Sequence, residues 1–176
     1  MATRDGKPIA TQDTSPLLKL LATIDVPAVP LFPHDKIRAF SFEADKGVDR
    51  GILWKGDDFA KEILPIREEN VPEITLTVYE ITRDAKNFRI ATELNLDDRG
   101  PLSLAHFYEV LSRQFYGEAG FLVTDGTVHV AYIIGYYGNI WTVAAYLLKA
   151  GGWVVHAHPF GEYQYGWIEG TRFLSR

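Results

Sequence analysis

From residue 126 to residue 148 the chain carries no charged side chain, twenty-three positions in succession. A run of that length either crosses a bilayer or is buried inside a fold. Gly126, His129, Gly135, Gly138 and Asn139 interrupt it, and its first half alternates as a strand does. The pattern therefore predicts a buried hairpin followed by a buried helix, with no membrane span. The run belongs to a wider asymmetry. Sixteen of the 23 aromatic residues lie in 106–176, whereas 32 of the 41 charged residues lie in 1–105. The second part is thus rich in apolar packing surface and poor in solvating charge.

The chain is long enough, at 176 residues, to bury a core without a staple. It contains no cysteine, which excludes a disulfide scaffold, a thiol nucleophile, an iron–sulfur cluster and a Cys-ligated zinc site. Net charge is -5, which argues against a general nucleic-acid binder. The polar N-terminus lacks the apolar segment of a signal peptide. The expected setting is soluble, either cytoplasmic or as part of a virion or secreted particle.

Three regions follow from the punctuation. Residues 1–35 read as an extended, proline-rich arm. Ser15 caps a short predicted helix over 16–21 with Pro16 as its first residue, and Pro27, Pro30 and Pro33 then recur at the period of a polyproline II helix. Residues 36–101 read as a β-containing region. It has short strands over 37–42 and 52–54, a helix over 57–64 stopped by Pro65, a strand over 74–81, and a return strand over 88–94. Residues 97–101 break the pattern. Residues 102–176 read as helix 103–116 capped by Ser103, strands 120–124 and 127–134 about the Asp125-Gly126 turn, helix 140–150 capped by Asn139, and strand 153–157. The fold class is α+β: a mixed sheet whose C-terminal unit runs helix, hairpin, helix, strand, preceded by the arm.

His156-Ala157-His158-Pro159 is the sharpest local motif. Residues two apart on a strand share a face, so two imidazoles can meet one metal ion, and the spacing suits zinc. Upstream, the helix is followed by Glu118-Ala119-Gly120-Phe121-Leu122. Over 103–176 these residues resemble the JAMM (JAB/MPN) metalloprotease family. Its core has a helix, a Glu-opened strand with a Glu-x-x-Gly-x-Leu-like pattern, and a later strand ending in H-x-H-P; after seven intervening residues come a Ser, two further residues and then an Asp. The resemblance implies His156, His158 and Glu169 as zinc ligands and Glu118 as general base to the metal-bound water. It implies cleavage of peptide or isopeptide bonds in a protein substrate, or the activity of a toxin-type relative. The departures are specific. The glycine comes one place early, Gly166 stands for the family's Ser, and Glu169 stands for Asp. Only seven residues follow Glu169, too few for the family's closing helix. These departures make an inactive relative one of the expectations.

A reading from another class stands beside it. Tyr163, Tyr165 and Trp167 alternate, so one strand face would carry all three. Tyrosine and tryptophan are enriched at interfaces. With the proline arm at Pro27, Pro30 and Pro33, they suggest a structural or assembly subunit, for example of a phage or secretion particle. Such a subunit would bind protein neighbours, in an oligomer or a larger assembly. His34 in the arm and His106 in mid-helix have no visible partner in the sequence, and His129, alternating within a hairpin strand, reads as structural. No P-loop, dinucleotide fingerprint or nucleophile-elbow serine is present.

Overall fold

The structure is a computed structural model that describes residues 15–32, 52–115, 117–149, 151–161 and 166–176. Seven strands form one mixed sheet in the order β1-β5-β11-β7-β8-β9-β3. Their ranges are β1 Leu18–Val26, β3 Ile52–Lys55, β5 Ile74–Ile81, β7 His129–Ile134, β8 Ile140–Leu147, β9 Trp153–Pro159 and β11 Arg172–Ser175. The β11–β7 and β3–β9 pairs are parallel and the other pairs antiparallel. Two ribbons flank it: β2 Val29–Phe32 with β4 Glu68–Val71, and β6 Ala85–Lys86 with β10 Gly166–Trp167. Helices α1 Asn87–Glu93, α2 Leu96–Arg99 and α3 Leu104–Ser112 complete the described elements, with a π-helical turn over Phe59–Ile63. The α+β class and the mixed sheet expected from the sequence are both present. No helix among the described residues is long and apolar enough to cross a membrane.

Both faces of the sheet are covered. On the first, Leu76, Val78, Ile133, Val143, Trp153 and Val155 pack against Phe107, Tyr108 and Leu111 of α3. On the second, Ile81, Val130, Tyr132, Ala144 and Phe173 pack against Ile90 and Ala91 of α1, with Leu94 and Leu96. Burying apolar groups on both sides is the dominant stabilising effect here. Ser103 caps α3 as the sequence predicts, its Oγ accepting the His106 N–H at 3.1 Å. The fold adds a second cap. The Glu68 carboxylate accepts the Leu104 and Ala105 N–H groups at 3.0 and 2.7 Å, satisfying donors that a helix start leaves open.

Several local expectations are corrected. Residues 17–21 are not a helix; β1 runs through them because β5 supplies a ladder from Leu18↔Ile81 to Val26↔Ile74. The proline segment is extended as expected, but as β2, with Val29 and Phe32 buried and Pro27 and Pro30 exposed. Residues 88–94 form no return strand: Ile90, Ala91 and Leu94 are buried, the spacing of a helix face, while Phe88 faces out. Residues 120–124 are loop. The buried Gln114 side chain takes the place of a partner strand, accepting the Leu122 N–H and donating to the Leu122 and Glu118 carbonyls. The Asp125-Gly126 turn is formed, with the Asp125 carboxylate accepting both the backbone and hydroxyl protons of Thr127.

The largest correction is β8. Residues 140–147 are a strand where the sequence predicts a helix, paired on both sides with β7 and β9. A strand buried on both faces reads as a continuous apolar run, and periodicity cannot separate it from a buried helix. Among the described residues the C-terminal unit therefore runs one helix and then strands β7 to β11, with no second helix. The sheet also draws β1, β3 and β5 from before residue 101 and β7, β8, β9 and β11 from after it. The predicted strand over 37–42 lies outside the described residues.

Candidate functional site

His156 and His158 point to the same face of β9, as the two-residue spacing requires. Their rings are nearly parallel, 9° apart with centroids at 6.2 Å. Tyr146 of β8 continues the stack at 6.1 Å from His156. Thr142 and Ala144 stand opposite His158 and His156 in register, which assigns the pair to the second face. Burial lowers the His156 pKa, and the neighbouring His158 adds to the shift. Both rings are half-buried.

The structure does not bring the other two members of the implied zinc set to this pair. Glu118 is exposed in the loop after α3, where its carbonyl accepts from Gln114. Gln114 in turn accepts the indole N–H of Trp153, a side chain of the first face. Glu118 therefore lies on the α3 side of the sheet and the histidines on the other. Glu169 lies in the turn before β11, its backbone N–H donating to Asp84 at 2.9 Å. β11 is separated from β9 by β7 and β8, and three strand spacings amount to about 14 Å. A zinc–carboxylate bond needs about 2.0–2.2 Å. No group of three or more His, Asp or Glu among the described residues could hold a metal ion. The donor set present does not fit the metal that the resemblance implies, and no catalytic step follows from it. Gly166, which stands for the family's Ser, is in β10 against Lys86.

The remaining sequence-predicted residue in the structure leads elsewhere. Tyr163, Tyr165 and Pro33 lie outside the described residues, but Trp167 does not. Its ring packs edge-on against Phe173 and its Nε1 donates to Asn87 Oδ1 at 3.0 Å. Asn87, the first residue of α1, is buried beneath it. Its Nδ2 donates to Thr142 Oγ1 at 2.6 Å, and its Oδ1 also accepts the Tyr132 hydroxyl at 2.8 Å. One side chain thus ties α1, β7, β8 and β10 together. Burial raises the Tyr132 pKa, so its hydroxyl stays a donor.

Above this network lies an open groove of about 700 Å³ lined by Asp84, Ala85, Lys86, Phe88, Arg89, Gly166, Trp167 and Ile168. Phe88 is 73% exposed and Ile168 72%. Two large apolar side chains thus stand far into solvent beside a concave surface. The groove has a hydrogen-bonded floor in Trp167 and a cationic side in Lys86 and Arg89. Sequence reasoning found Trp167 and missed Asn87, Phe88 and the two cations. The signal available for Phe88 was its place off the apolar face of a helix, visible only once 87–93 is read as helix.

No protein-family profile matches this chain, and neither does any curated protein or solved structure.

Proposed function

We propose that this chain is a protein-binding subunit of an assembly, which engages its partner through the groove around Trp167. One observation carries the reading: Phe88 and Ile168, each nearly three-quarters exposed, flank a tryptophan whose indole N–H is fixed by a buried asparagine. Rigid aromatic anchors of this kind dominate the energetics of interfaces because little side-chain entropy is lost on binding. The fold spends a buried polar network on keeping that floor in place, and the groove offers neither an activated nucleophile nor a metal-binding donor set among the described residues.

The test is photo-crosslinking in native extract with a photoreactive phenylalanine analogue at position 88. A control carries it at position 148, another exposed apolar site. The reading expects discrete protein adducts from position 88 that are absent from position 148 and lost on Ile168→Asp. Identical adducts from both positions, or none from position 88, would refute it.

A further inference from the structure

The groove differs in charge from the chain around it, and this bears on what it binds, given the reading that its occupant is a protein. The chain has a net charge of -5, yet Lys86 and Arg89 both line the groove and both are exposed. They occupy the cap and third positions of α1, which meet across a first helical turn. Neither makes an ion pair among the described residues. Nor does the helix use their charge: cations at a helix start oppose the backbone dipole, and α1 has no acid in its first turn to offset them. Asp84, the acidic lining residue, already accepts the Glu169 N–H. The groove therefore combines an apolar floor with two cations that make no ion pair among the described residues, against one lining carboxylate, Asp84.

We infer that the partner segment is an acidic peptide, with an aspartate or glutamate beside an aromatic or aliphatic residue. The apolar side chain fills the space between Phe88, Trp167 and Ile168. The carboxylate meets Arg89, whose planar guanidinium can offer two parallel N–H donors, and Lys86, which adds a point charge. Apolar burial supplies most of the affinity; the charges set which sequences are accepted.

The experiment selects a random-peptide display library on the full chain and measures the enriched peptides against variants. The proposal expects enrichment of Asp or Glu within two positions of an aromatic or aliphatic residue. The affinity of those peptides should fall about tenfold or more on the double reversal Lys86→Glu/Arg89→Glu, and should weaken as salt rises from about 50 to 300 mM. Phe88→Ala should also abolish the selected binding. Lys86→Gln/Arg89→Gln serves as the milder pair if the reversal disturbs the fold. Enriched peptides that need Phe88 but are neutral or basic, and ignore the charge variants, would overturn the acidic-peptide proposal while leaving the groove as a binding site. No enriched peptide that depends on Phe88 would overturn both.

Discussion

Replacing Asn87 with alanine tests the structural premise of the groove. The side chain makes three hydrogen bonds: to Thr142 Oγ1 at 2.6 Å, and from Tyr132 Oη at 2.8 Å and Trp167 Nε1 at 3.0 Å. The three losses are not equal. Thr142 is fully buried, so its hydroxyl loses its partner away from water, at a cost of about 1–3 kcal/mol. Tyr132 keeps a bond at 3.1 Å to the Asn87 backbone carbonyl, which the substitution spares. Trp167 is half-buried and can turn its N–H toward solvent. These two losses add about 0.5–1 kcal/mol each. The total is about 3 kcal/mol, which corresponds to a fall of about 6–12 °C in Tm for a chain of this size. Urea unfolding followed by circular dichroism measures it, with the m-value expected unchanged. The control is Asn87→Leu/Thr142→Val. Removing both partners of the shortest bond should cost less than the sum of the single changes, because no hydroxyl or amide is then orphaned between them. A cost below about 0.5 kcal/mol for Asn87→Ala would show that the network does not hold α1 and β10 to the sheet, and the argument for a rigid groove floor would fall with it.

Acid should destabilise the fold through His129, whose pKa burial lowers to about 4, with Arg172 adding to the shift and the Val123 carbonyl and Asp125 opposing it. The unfolded chain then binds the extra proton first, so stability rises with pH between about 4 and 6.5, by about 3 kcal/mol in all, and His129→Gln should flatten that slope in a Tm-against-pH series. Gly135→Ala should destabilise by about 1–3 kcal/mol in urea unfolding, because the new Cβ would lie 2.5 Å from Trp141 Cδ1. Glu68→Ala should cost about 1 kcal/mol and speed amide exchange at Leu104 and Ala105, the two N–H groups it accepts. Zinc at 100 µM should leave Tm unchanged within error; a rise of several degrees that His158→Ala removes would instead establish a zinc site on the histidine pair.

The sequence made some elements legible because their signals are local. Ser103 before an apolar-periodic run marks the start of α3, and the β-branched alternation of 74–81 marks β5. The elements that sequence reasoning misassigned depend on partners far along the chain. Residues 17–21 have the leucine spacing of a helix, and only the ladder to β5 makes them strand. Residues 140–147 are apolar on every side because α1 covers one face and α3 the other, so neither period stands out. The candidate site divides in the same way. His156 and His158 share a face because strand geometry alone requires it. Their distance from Glu118 and Glu169 is set by strand order, which no motif encodes. Trp167 was visible as an aromatic in an alternating run, but its fixed position comes from Asn87, eighty residues away in sequence.

Hydrogen–deuterium exchange on the full chain, with and without the partner recovered by crosslinking, tests the central claim most directly. The account predicts that binding slows exchange at residues 84–89 and 166–168 and leaves 156–158 unchanged. Protection centred on the His156–His158 strand, with none at the groove, would contradict it.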